Sequence, residues 1–218
     1  SRGLVGSEMC IRDRDILEMW SGLGYNSRAV RLHEASKILS KNSFDSIYPN
    51  FNILPGVGEY TKNAILSFAY KDKVITQDTN VLRIFSRFFG TKNPQKFILE
   101  NQKNILKNIK SRKFNEALMD FGSKICTSKN PSCSICIFDN ECKKFIQVKQ
   151  SPKPAFKGSN REIRGKIIKY LLVNNNVDIS SLNTIIKTEE NRLRHILKKL
   201  ESEGMIKIKN KKLIEISS

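Results

Sequence analysis

The chain has 218 residues, room for one or two domains, and 39% of them are hydrophobic, enough for a packed core. Its formal charge is +18 and its pI about 9.8. It has no run of about 18 apolar residues and no apolar signal segment, which argues against a membrane-spanning helix and points to a soluble intracellular protein. A positive field of this size attracts polyanions, and nucleic acid is the first partner it suggests. The richness in Lys, Asn and Ile is also what AT-rich coding DNA produces, so charge alone does not establish that partner.

The first residues read as foreign to the rest. "LVGSEMCIRDR", Leu4 to Arg14, resembles the in-frame translation of a transposon-type sequencing adapter, which spells Leu4 to Asp13 residue for residue. On that expectation Cys10 has no role, residues 1–14 are set aside, and natural sequence begins near Asp15 with its own N-terminus lost.

From Asp15, "DILEMWSGLGYNSRAVRLHEASKILSK" reads as two helices around a Gly-containing turn. "YPNFNILPGVG" is a Pro- and Gly-punctuated connection, and "EYTKNAILSFAY" a helix with Ala64, Ile65, Phe68 and Ala69 on one face. "KDKVITQDTN" is a loop whose Asp78 can cap the apolar helix "NVLRIFSRFFG", which ends at Gly90. Two further helices follow in "QKFILENQKNILKNI" and "KFNEALMDFGSKIC". "VKQSPKPAFKGSN" is the best linker. Beyond it, "REIRGKIIKYLLVN", "ISSLNTIIK" and "EENRLRHILKKLESEG" read as helices and "MIKIKNKKLIEIS" as a hairpin around "NKK", the pattern of a winged-helix module.

"LPGVGEYTKNAI", Leu54 to Ile65, combines Gly56 and Gly58 with the start of a helix. Glycine permits positive φ and a close approach of backbone to a ligand. A Gly-rich turn opening a helix presents free N–H groups at the positive end of the dipole, which suits phosphate oxygens. Leu54 and Val57 can anchor such a turn to the core.

Four of the five cysteines, Cys126, Cys133, Cys136 and Cys142, have the spacing C-x6-C-x2-C-x5-C. That clustering is wrong for a disulfide framework and right for a metal site in a reducing compartment. Zinc prefers two CxxC pairs or Cys/His mixtures, and only one CxxC and no nearby histidine are present. Four thiolates suit a [4Fe–4S] cluster on chemistry, and the spacing favours it over zinc or free thiols.

With "LPGVGEYT", "QDTNVLRIFSRF", "ALMDFGSKIC" and the cysteine loop in this order, the chain resembles the helix-hairpin-helix DNA glycosylase superfamily. "GLGYNSRAVRLHEA" narrows the resemblance to MutY-type adenine DNA glycosylases over Asp15 to Phe145. "GSNREIRGKIIKYLL" is more weakly similar to the C-terminal extension of short, actinobacterial-type members. The resemblance implies a mainly α fold of helix-hairpin-helix glycosylase helical domains with an iron–sulfur loop, plus a small winged-helix-like module. The expected boundaries are 15–146 for the glycosylase domain, 147–160 for the linker and 161–218 for the module.

The resemblance further implies a monomer in the bacterial cytoplasm, acting on double-stranded DNA. It would remove adenine mispaired with 8-oxoguanine or guanine, after turning the base out of the stack. Asp78 matches the catalytic aspartate, whose carboxylate stabilises or traps the sugar cation that forms as the N-glycosidic bond breaks. Asn80 matches a residue that positions the site. Tyr60 occupies the slot where lyase relatives carry a lysine nucleophile, and since a phenol forms no imine the expected enzyme is monofunctional. Tyr25 matches a wedge that inserts beside the orphan base. Leu54, Pro55, Gly56, Val57 and Gly58, with Arg28 and Arg31, suit the DNA backbone. Lys198, Lys199, Lys207, Lys209, Lys211 and Lys212 could also meet phosphates, though the Lys-rich composition explains them about as well. His33 and Trp20 read as structural.

The chain departs from the family pattern at the acid. Residues 1–14 show no Glu-x-x-Leu-Gln-Gln-Thr, and neither Glu8 nor Glu18 takes that role. General acid catalysis supplies about 10²–10⁴-fold, so the expectation is a chain that binds DNA and cleaves poorly. Two other readings stand beside this one. One is a thymine or uracil mismatch glycosylase of the same superfamily. The other is a DNA-binding regulator with a redox-sensing cysteine loop.

Overall fold

The computed structural model describes residues 13–145, 155–174, 176–210 and 212–217. The adapter-like residues before Asp13, Cys10 and Glu8 among them, lie outside the described residues, as do most of the expected linker and Lys211. The helices in chain order are α1 (Asp13–Met19), α2 (Ser27–Leu39), α3 (Phe44–Ile47), α4 (Glu59–Phe68), α5 (Thr79–Phe89), α6 (Pro94–Ile105) and α7 (Ser111–Lys124). Then come α8 (Asn160–Val173), β1 (Val177–Asp178), α9 (Ile179–Ile186), α10 (Glu190–Ser202), β2 (Ile206–Lys209) and β3 (Leu213–Ile216). No helix among the described residues is long and apolar enough to cross a membrane.

The described chain divides into two compact units that do not follow chain order. Among the described residues, one takes those within Ser1–Ser46, Leu54–Gly56 and Pro152–Ser218, and the other those within Ile47–Ile53 and Val57–Ser151.

In the first unit, α8, α9 and α10 surround a three-stranded antiparallel sheet of order β1-β3-β2. The expected hairpin is β2 and β3, with Ile208 opposite Ile214, and its turn passes through Asn210 at positive φ. Alternation puts Ile206, Ile214 and Ile216 on the buried face. They meet Ile163, Ile167 and Leu171 of α8 and Leu193, Ile196, Leu197 and Leu200 of α10. Leu17 of α1 and Ala29 and Val30 of α2 belong to the same core, so the first two helices share their hydrophobic interior with the C-terminal module. Arg14, at the edge of the adapter-like stretch, donates to the Leu172 carbonyl. Asp13 meets the buried His33 at 2.6 Å.

In the second unit, α5, α6 and α7 close over Ile75, Val81, Phe85, Ile98 and Leu106. Helix α5 has the boundaries its sequence dictates: Asp78 caps the start, and Gly90, at φ +68°, provides the left-handed exit. Helix α6 begins with an Asn93 cap, whose side chain accepts from Lys96 N, followed by Pro94 in the first turn.

A candidate active site at the start of α5

The segment that delivers Asp78 is held by buried amides. Asn115 of α7 is fully buried; its Oδ1 accepts from Thr76 N at 3.0 Å, and its Nδ2 donates to Val74 O and Ser67 Oγ. Gln102 of α6 accepts from Ile75 N at 3.1 Å. Ser111 donates to the Asp72 carbonyl at 2.6 Å. These bonds satisfy backbone groups that no sheet ladder reaches, and they fix the direction in which the chain enters α5.

Asp78 stands half-buried at that entry. Its Oδ1 accepts from Val81 N at 2.7 Å and its Oδ2 from Asn80 Nδ2 at 3.2 Å. Two N–H donors and the positive end of the helix dipole thus meet the carboxylate at this point. Asn80 thus meets Asp78 directly. It is pressed by Gly122 of α7, the residue that lets α5 and α7 approach at this level.

Tyr60 lies in the first turn of α4, about two-fifths exposed. Before it, Leu54 is buried, Gly56 turns at φ +84°, and Gly58 caps α4 in extended conformation with no side-chain cap. The amide end of α4 therefore faces outward from an exposed turn. A Cβ on Gly56 would stand 3.2 Å from the Arg31 Cβ, so Arg31 runs directly against the turn.

Tyr25, more than half exposed, adopts φ +50° between α1 and α2. Trp20 donates its Nε1–H to the Gly24 carbonyl at 3.0 Å, and the Arg28 guanidinium lies over the Trp20 ring at 5.4 Å. Trp20 thereby braces the turn that carries Tyr25.

The cysteine loop leaves the end of α7 and is tied back to α5. Arg83 donates to the carbonyls of Cys126 (2.9 Å) and Gly122 (2.8 Å). Burial lowers the Arg83 pKa, opposed by the nearby Cys126 sulfur. Arg87, one turn on, donates to the carbonyls of Thr127 and Ser128 and points Nη1 at Cys126 Sγ, 3.4 Å away. Lys144 N–H points at Cys142 Sγ at the same distance. Phe138 packs edge-on against Phe88 of α5 and Phe121 of α7. Cys136 N donates to the Cys133 carbonyl at 3.0 Å, closing one 3₁₀ turn.

The donor chemistry, four thiols with N–H groups aimed at two of the sulfurs, fits an iron–sulfur cluster. Among the described residues, however, no three His, Cys, Asp or Glu side chains are gathered into a metal-holding group. Arg83, Arg87 and Phe138 tie the loop to α5 and α7.

Sequence reasoning singled out Asp78 and Asn80, and the fold brings these two together. It missed Arg83, Arg87, Asn115 and Gly122. The two arginines at i and i+4 on an otherwise apolar helix were a readable signal.

Residues 7–108 match the family described as HhH-GPD superfamily base excision DNA repair protein. The adenine DNA glycosylase of Buchnera aphidicola subsp. Baizongia pistaciae is 38% identical over 145 residues, 62% of this chain and 40% of that protein. The adenine DNA glycosylase of Mycobacterium tuberculosis is 31% identical over 171 residues, 72% of this chain and 56% of that protein. The chain spans about half the length of these curated relatives. Among solved structures, a thermostable thymine-DNA glycosylase aligns with TM-score 0.56 at 27% identity, covering 65% of this chain and 69% of its own. An endonuclease III trapped on DNA aligns with TM-score 0.51 at 22% identity, covering 64% and 68%, and supports the fold. Residues 7–108, just under half of the chain, are thus similar to the HhH-GPD superfamily of base excision DNA repair proteins.

Proposed function

We propose that the chain is a monofunctional DNA glycosylase segment that releases adenine mispaired with guanine or 8-oxoguanine. The observation that carries this reading is the Asp78 carboxylate, half-buried at the start of α5 and held by Val81 N–H and the Asn80 amide. A carboxylate beside C1′ stabilises the oxocarbenium-like sugar as the base departs, and water then completes hydrolysis. Asn80 holds the carboxylate in place. Tyr60 offers no amine, so the sugar forms no Schiff base and strand cleavage does not follow. The outward amide end of α4, with Leu54, Pro55, Gly56, Val57 and Gly58, is suited to a DNA phosphate, Arg28 and Arg31 to backbone phosphates, and Tyr25 to the gap left by the base. The chain acts as a monomer, in the compartment that holds the chromosome.

Cys126, Cys133, Cys136 and Cys142 would hold a [4Fe–4S] cluster. When bound, it supplies a covalent cross-link that fixes the loop after α7.

The test uses duplexes with adenine opposite 8-oxoguanine, guanine or thymine. Binding that prefers the two mispairs, and slow single-turnover release of adenine that disappears in Asp78→Asn, support the reading. Equal binding of the three duplexes, or equal release by the variant, overturns it.

A second reading, a thymine mismatch glycosylase, is favoured by Tyr60 and by the structural likeness to the thymine-DNA glycosylase. Preferential release from T:G duplexes would select it.

A further inference from the structure

Tyr25 does not stand alone. The Arg161 guanidinium, in the first turn of α8, donates an Nη1–H bond to the Tyr25 hydroxyl. It lies over the Tyr25 ring at 4.9 Å and over the Phe156 ring at 4.7 Å. The result is a column of ring, guanidinium and ring on the surface of one compact unit. Cation–π contacts of this kind hold a planar fork in a fixed plane.

The column is braced and strained at once. Arg192 of α10 donates to Asn160 Oδ1 at 2.8 Å and to the Gly158 carbonyl at 2.6 Å, fixing the residues just before Arg161. Tyr25, at the other end, holds φ +50°, a left-handed conformation that costs a bulky residue about 1–3 kcal/mol and collects at functional sites. A plain packing contact requires no such backbone. Lys157, Arg161 and Arg192, with Ser159 and Asn160, also line a shallow, open surface depression. The Tyr25 hydroxyl uses one face of the fork, and the other guanidinium donors have no acceptor among the described residues.

We propose that Arg161 is a positioning and specificity residue: it sets the Tyr25 ring and donates to the guanine left behind when adenine is turned out. Guanine presents O6 and N7 as a pair of acceptors, the commonest bidentate target of arginine, whereas cytosine presents a donor on the same edge. A guanidinium fixed beside the aromatic that fills the gap is suited to read that difference. The C-terminal module then takes part in reading the mispair through one residue, apart from any general attraction of its lysines for phosphate. This inference rests on the adenine-opposite-guanine reading above.

The test measures binding of the full chain to fluorescent duplexes with A:G, A:C and A:T by anisotropy at one fixed salt concentration. Wild type, Arg161→Ala and Arg161→Lys are compared, with circular dichroism confirming equal helix content. Lysine keeps the charge and loses the fork. The expected result is an A:G over A:C preference in wild type that falls about tenfold in both variants, the size of one bidentate base contact. A preference retained by Arg161→Lys overturns this inference alone. A wild type that prefers A:G to neither A:C nor A:T overturns the inference together with the proposed function.

Discussion

Gly122 lies so close to Asn80 that a Cβ on the glycine would stand 2.8 Å from the Asn80 Cβ. The neighbour is the root of a side chain and not its flexible end, so it cannot swing away. The spacing of α5 and α7 at the level of Asp78 is therefore set by the absence of one methyl group. Gly122→Ala is expected to push the helices apart and draw the Asn80 amide off the Asp78 carboxylate. Overpacking outweighs the helix-propensity gain, for a net loss of about 1–2 kcal/mol in urea unfolding. Asn80→Ala keeps its Cβ and gives no relief, whereas Asn80→Gly does. A double-mutant cycle in which Gly122→Ala costs the same in all three backgrounds would show the contact to be irrelevant.

Asn115 is the second lever on the same carboxylate. Replacing it with Ala leaves the buried Thr76 N–H and the half-buried Val74 carbonyl unpaired, at about 1–3 kcal/mol for each such group. The expected loss is about 3 kcal/mol. The amide of Thr76, two residues ahead of Asp78, should also lose its protection from hydrogen exchange. Protection unchanged in Asn115→Ala would mean that the segment is held by something else.

What could be read from the sequence was local. The boundaries of α5 follow from an aspartate cap and a terminal glycine eleven residues of helix apart, both signals that act within one turn. The hairpin of β2 and β3 follows from alternation, and the cysteine loop from spacing. The supports of the site are of another kind. Arg83 and Gly122 are 39 positions apart, as are Thr76 and Asn115, and nothing within either neighbourhood names the other. The same limit hid the shared core of α1, α2 and the C-terminal module, since amphipathic helices do not announce which apolar face they meet. Strand β1 escaped because two residues carry no periodicity.

Arg87 is expected to matter for metal retention. Its Nη1 points at Cys126 Sγ and its fork closes on the carbonyls of Thr127 and Ser128, so it both orients the first thiol and offsets negative charge on sulfur. Removing such outer-shell partners typically costs about 10–100-fold in metal affinity. Arg87→Met, reconstituted with iron and sulfide, should lose its visible absorption to a chelator at least about tenfold faster than wild type. Loss at the wild-type rate would remove the arginine from that role.

Asp178 gives the C-terminal module a defined acid sensitivity. It caps α9 by accepting from Ser180 N at 2.8 Å and from the Ser180 hydroxyl, while its backbone pairs with Leu213 of β3. The hydrogen bond from the Ser180 side chain, then that from its backbone, holds the carboxyl below the usual carboxylate range. A depressed folded-state pKa contributes stability that is complete above the unfolded value, about 3.9, and is lost as pH falls through the lower folded value. Wild type should therefore melt above Asp178→Ala by a constant margin from neutral pH down to about pH 5, and that margin should close below about pH 4. A margin that stays the same down to the most acidic measurable transition would show that the cap acts without its charge.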